Sequence, residues 1–152
     1  MNKPAYVLNA IRTPDGTVIA SRNRHDYVTH LDKNGEVYMV DGGLDYLRRN
    51  VNNEPHEELS VPSTAPFEDI RKAFAWGSRG KDGKQELRYV TLCEMSDDHL
   101  DAVIAYLSAA LEGMNKAMKE FGSSELAEEP WTLVLFMEEQ LYRSKNDISI
   151  PE

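Results

Sequence analysis

Two stretches of this chain gather the residue types that do chemistry. The first runs Arg22-Asn-Arg-His-Asp-Tyr27 and resumes as Val40-Asp-Gly-Gly-Leu-Asp-Tyr-Leu-Arg-Arg49. Ten of those sixteen residues are charged, histidine or tyrosine, where a small domain would ordinarily be building its core. The second stretch, Trp76-Gly-Ser-Arg-Gly-Lys-Asp-Gly-Lys84, is glycine-rich and basic. Guanidinium forks match carboxylates and phosphates, imidazole and carboxylate ligate metals, and glycine loops present backbone N–H groups to anions.

Metal chemistry would draw on His25, Asp26, His30, Asp41 and Asp45. Residues 26 and 30 share one face of a strand, whereas His25 points to the other, which opposes a His25/His30 pair. The spacing therefore favours no metal and no cofactor, with His25 and Asp26 organising hairpin ends and Asp41 capping a turn. Nucleophilic catalysis has little to build on. Cys93 is the sole cysteine, no Gly-x-Ser-x-Gly elbow occurs, and no residue is singled out as catalytic. An enzyme is disfavoured, and a metal-dependent one is the third reading.

Anion binding is a different matter. The loop is not a Walker A sequence, since Gly83-Lys84 is followed by Gln85. Arg48, Arg49, Arg79 and Lys81 could still hold phosphate while Tyr46 or Trp76 stacks on a base. These six are the candidate ligand-binding residues. Against that stands a structural polar network of Arg22, Arg24, His25, Asp26, Asp41 and Asp45 that would consume Arg48 and Arg49 internally.

The elements that must position these residues are legible in the pattern. Tyr6–Leu8 and Thr17–Ala20 flank Thr13-Pro-Asp-Gly16, and Asp26–Leu31 and Glu36–Val40 flank Asp32-Lys-Asn-Gly35; both connections carry hairpin turn chemistry. Leu44–Arg49 is expected to form about one helical turn, and residues 50–65 a surface connector. Pro66, Glu68 and Asp69 start a short helix over 66–74, and residues 87–92 alternate like a strand that returns to the sheet. Ser96 caps a long helix whose stripe is Leu100, Val103, Ile104, Leu107, Leu111, Met114 and Met118. Gly122-Ser-Ser124 separates it from a second helix beginning at 125 or 130 and ending near 144. The fold class is α+β: a small N-terminal antiparallel sheet of two hairpins plus a strand over 87–92, packed with two or three C-terminal helices.

At 152 residues the chain suits a single domain, with a hairpin part to residue 60, a helix, loop and strand over 61–95, and a helical hairpin over 96–152. The net charge is −9, and residues 96–152 hold 12 acidic groups against 4 basic ones. Such a surface disfavours nucleic acid, because phosphate contacts need basic residues. A single cysteine excludes an intrachain disulfide and fits the cytoplasm. No apolar run approaches the roughly 20 residues that cross a bilayer, so no membrane partner is expected.

Arg24-His-Asp-Tyr27, the stretch from Val40 to Arg49, Phe74-Ala-Trp-Gly-Ser-Arg-Gly-Lys-Asp-Gly83 and Leu87-Arg-Tyr-Val90 together resemble a family of small proteins of tailed bacteriophages. The likeness spans residues 10–100, with a looser Glu-Glu-Gln-Leu-Tyr-Arg ending at Arg143. Some relatives carry zinc-ribbon cysteines at the two turns; this chain has Thr13-Pro-Asp-Gly16 and Asn34-Gly35 there, so zinc is not carried over. The resemblance implies an accessory factor in the bacterial host cytoplasm. Its expected function is noncatalytic binding to a host protein, as a host-takeover or anti-defence factor. The alternative is a sponge for a nucleotide or other anionic small molecule, and a homodimer through the two long helices is a further candidate assembly.

Overall fold

The structure, a computed structural model, describes residues 3–49 and 55–152. It is α+β, with antiparallel N-terminal hairpins and three α-helices. Contacts divide the chain into two compact units, meeting in sequence between Ala75 and Trp76.

The first unit is built from the two expected hairpins. β1 (Tyr6–Arg12) pairs antiparallel with β2 (Val18–Ser21) in the register Asn9↔Ser21 to Arg12↔Val18. Gly16 takes φ +89° and donates its N–H to Thr13 O at 2.9 Å, the closure that Pro-Asp-Gly chemistry favours. β3 (Tyr27–Leu31) pairs with β4 (Val37–Asp41) around Gly35, whose φ of +83° requires no side chain. Ile11 and Ile19 of the first hairpin form one buried cluster with Tyr38 and Val40 of the second, with Val28 packed against it. Each such side chain contributes roughly 1.5–3 kcal/mol.

Two expectations fail in this unit. Leu44–Arg49 does not form a helical turn. Gly42 (φ +95°) and Gly43 (φ +58°) reverse the chain, and Arg48–Arg49 becomes β5, paired with β4 as Val40↔Arg49 and Asp41↔Arg48. Six residues provide too few hydrogen bonds to offset helix nucleation, whereas an open strand edge offers ladder bonds at once. Within the expected connector, residues 50–54 lie outside the described residues, but β6 (Glu57–Glu58) and β7 (Val61–Pro62) both add to the free edge of β1. α1 (Phe67–Ala73) follows Pro66 with Glu68 and Asp69 in its first turn, as expected.

In the second unit, β8 (Ala75–Ser78) and β9 (Arg88–Thr91) form their own two-stranded sheet. β9 does not return to the N-terminal sheet, because the glycine turn folds it back on β8 first. A 3-10 turn over Leu92–Glu94 leads into α2 (Asp97–Glu120), whose Ser96 hydroxyl accepts the His99 N–H at 3.1 Å. α3 (Trp131–Lys145) begins after Pro130. Of the expected α2 stripe only Leu100 and Val103 are buried, while Met114 is exposed. α3 buries Leu133, Leu135 and Phe136 together with Glu139 and Arg143, so its inward face carries an ion pair that an apolar pattern does not reveal. Among the described residues no helix is long and apolar enough to cross a membrane.

Candidate functional site

The Arg22–Arg49 stretch resolves into a clasp. Its hub is Asn9 on β1, fully buried, a residue the sequence pattern did not mark. The Asn9 amide donates to Gly43 O at 2.7 Å and Asp41 O at 3.1 Å, and its carbonyl accepts Arg49 Nη1 at 2.6 Å. Arg49 also forks onto Glu58, at 2.7 and 3.4 Å, and reaches Ser60 Oγ at 2.9 Å. Burial pushes the Glu58 carboxyl up, but the Arg49 and Ser60 hydrogen bonds outweigh it and hold the group below its ordinary range. The expected partners of Arg49 were Asp26, Asp41 and Asp45; the partner is Glu58 on β6, which pairs with β1, the strand whose Asn9 also holds Arg49.

The remaining members of the stretch are placed as follows. Arg48 pairs with Asp41 at 3.3 Å and Arg24 with Asp45 at 3.2 Å; both arginines are largely exposed, while the Asp41 side chain is mostly covered. Asp26 accepts the Arg22 N–H at 3.0 Å and closes the loop between β2 and β3, while its own carbonyl accepts the Ser21 hydroxyl. His25 is exposed. Tyr46 is half exposed, its ring over Gly42, where an added Cβ would lie 2.7 Å from the ring. Asp41 Oδ1 accepts the Gly42 N–H at 2.7 Å, the capping role expected of it.

The two hairpin turns are tied together by Asp15. Its carboxylate accepts the Thr13 hydroxyl at 2.7 Å, the Thr17 N–H at 3.0 Å, the Lys33 N–H at 3.3 Å and His30 Nε2 at 2.9 Å. Asp32 returns the link by accepting the Asp15 N–H at 3.2 Å. The Thr13, His30 and Thr17 hydrogen bonds hold Asp15 far below the usual carboxylate range. His30 is thus engaged with Asp15, and among the described residues no three His, Cys, Asp or Glu side chains are arranged to hold a metal ion.

The second unit holds a groove of about 520 Å³. β8 supplies Trp76, the glycine turn supplies Arg79 and Lys81, and β9 supplies Arg88. One face of α2 supplies Asp98, His99, Ala102 and Tyr106, and Glu152 completes the lining. Trp76, Arg79 and Lys81, three of the six candidate ligand residues, therefore share one groove; Tyr46, Arg48 and Arg49 belong to the other unit. Trp76 is fixed edge-on against Phe136, ring centroids 5.2 Å apart.

The glycine turn works differently from the expected backbone cradle. The N–H groups of Gly80, Gly83, Lys84 and Gln85 are spent on Ser78 Oγ, Gly80 O, Asp82 Oδ1 and Arg79 O. What the turn presents is side chains. Arg79 and Arg88 line the groove with no ion pair among the described residues, whereas Arg12, Arg24, Arg48, Arg49 and Arg143 each pair with a carboxylate. Lys81 meets Glu152 at 2.9 Å, which raises the ammonium pKa. Burial lowers that of His99, partly opposed by the Glu152 charge.

Arg143 holds this wall in place. Almost fully buried, it donates to Glu139 Oε1 (2.9 Å), Asp97 Oδ1 (2.7 Å) and the carbonyls of Leu92 and Met95 (2.7 Å each). It therefore ties α3 to the start of α2 and to the turn after β9. The only sequence signal for it was the Glu-Glu-Gln-Leu-Tyr-Arg run, which says nothing of burial.

Comparisons with protein-family models, curated proteins and solved structures found no match.

Proposed function

We propose that this chain is a noncatalytic binding protein whose groove takes an anionic small molecule carrying a flat ring, a nucleotide or a related signal molecule. The observation that carries this reading is the pair Arg79 and Arg88, guanidinium groups with no ion pair among the described residues, in a groove that also presents Trp76 and Tyr106. In a chain of net charge −9, carboxylates are abundant and Asp98 and Glu152 line this very groove, so two groove arginines that pair with neither are suited to a partner from outside. A hydrogen bond to a charged group is worth about 1.5–3 kcal/mol, and stacking of a base on an aromatic ring about 1–3 kcal/mol. The acidic surface repels long polyanions and leaves a small ligand as the better fit. For a chain resembling bacteriophage accessory proteins, sequestering such a molecule in the host cytoplasm would be a sponge function.

Thermal-shift measurements with cyclic and linear nucleotides test this. A large saturable shift with at least one, lost in the Arg79→Ala/Arg88→Ala double variant, supports the groove. No shift across the panel counts against it.

The protein-contact reading rests on a separate observation. Met114, Phe121 and Leu126 are 57%, 93% and 81% exposed along and just beyond α2, outside the groove lining. Large apolar side chains grouped in this way suit a host protein or a second copy of the chain. Sedimentation equilibrium decides the second-copy form: a monomer at 100 micromolar (order of magnitude, about −5 to −6 kcal/mol) removes it.

A further inference from the structure

We infer that Glu152 is an intramolecular competitor for the cationic end of the groove, so that an anionic ligand enters by displacing its carboxylate from Lys81. This rests on the groove being the binding site.

The geometry is specific. After α3 the chain reverses at Asp147 (φ 52°), and Ile148 N–H bonds back to Arg143 O at 3.0 Å. The segment then docks on the first residue of α2 through three hydrogen bonds. Asp97 N–H donates to Ile150 O at 2.8 Å, and Asp97 Oδ2 accepts Ile150 N–H and Ser149 Oγ, each at 3.0 Å. The other Asp97 oxygen is held by Arg143, and the Arg143 and Ile150 hydrogen bonds keep this carboxyl below its ordinary range. Residue 150 is therefore anchored two positions before Glu152, which reaches Lys81 Nζ at 2.9 Å within the same groove as Arg79 and His99.

A carboxylate on Lys81 stands where a phosphate oxygen would bind. Anchor and tip differ in strength. Arg143 beneath Asp97 is buried, whereas the Lys81 and Glu152 side chains are 83% and 47% exposed. An exposed pair of this kind opens readily. A firm anchor with a weak tip makes a displaceable competitor rather than a permanent brace.

Isothermal titration with inorganic pyrophosphate and with ATP tests this on the full chain. Glu152→Gln is expected to bind both about two- to fivefold more tightly than the parent, the range an exposed ion pair spans. The factor should be similar for the two ligands, because displacement charges each the same toll. In a Lys81→Met background the Glu152→Gln change should have no effect, since the competitor has nothing left to hold. If the parent binds and Glu152→Gln binds no better, or gains equally without Lys81, displacement is overturned while the groove remains the site. A gain that grows with ligand charge also overturns it, in favour of simple repulsion. If neither protein binds either ligand, the groove reading falls with it.

Discussion

Replacing Asn9 by Ala tests whether the Arg22–Arg49 stretch is a framework held from β1. The substitution removes three amide bonds, to Gly43 O at 2.7 Å, Asp41 O at 3.1 Å and, at the long limit, Tyr46 O at 3.4 Å, and the acceptor of Arg49 Nη1 at 2.6 Å. Neutral hydrogen bonds contribute about 1 kcal/mol each and one to a charged donor about 1.5–3 kcal/mol. Arg49 keeps Glu58 and Ser60, which returns part of the loss. The expected destabilisation is about 3 kcal/mol. With a urea slope of roughly 1–3 kcal/mol per molar, the unfolding midpoint followed by far-UV circular dichroism falls by about 1 M or more. Asn9→Asp sharpens the test, since it keeps an acceptor for Arg49 but turns a lone pair toward Gly43 O. It should be no more stable than Asn9→Ala. A loss below about 0.5 kcal/mol, the range of ordinary surface substitutions, would refute the clasp.

Gly43→Ala should cost about 3 kcal/mol in the same assay, because its φ is +58° and the new Cβ would lie 2.3 Å from the Asn23 carbonyl carbon; an unchanged midpoint would contradict that close approach. Arg143→Ala takes from the fully buried Glu139 the guanidinium 2.9 Å away and removes the donors to Asp97 and to the Leu92 and Met95 carbonyls, and is expected to lose about 3–5 kcal/mol, read as a lower melting temperature. Asp15 has a lowered folded pKa, so its stabilisation is complete above the ordinary aspartate range, about pH 4, and is lost as pH falls toward the folded value. The stability gap between the parent and Asp15→Asn should therefore be widest at neutral pH and narrow below about pH 4; a constant gap would show that the Asp15 charge does not tie the two turns.

What the sequence revealed and what it hid follow from the range of the interactions. Pro14-Asp-Gly16 and Asn34-Gly35 fixed both hairpins because turn chemistry acts within four residues, and Ser96 marked the start of α2 for the same reason. Leu44–Arg49 was misread because its helical spacing is local, while the strand it forms depends on the edge of β4. Asn9 and Arg143 were missed because burial gives them their role, through partners 32 to 51 residues away for Asn9 and the Arg143 carbonyl contacts. Trp76, Arg79 and Lys81 were legible as one group, since one short turn carries them. Arg88, His99 and Tyr106 joined them only through the placing of β9 and α2.

Trp76 offers the most direct measurement of the groove. The chain has two tryptophans, so Trp131→Phe leaves Trp76 as the sole indole, and its emission can be followed as ATP is added. Binding in the groove predicts a saturable change, reversed by excess pyrophosphate and absent when Arg79 and Arg88 are both alanine. A response that never saturates and is the same with and without the two arginines would contradict it.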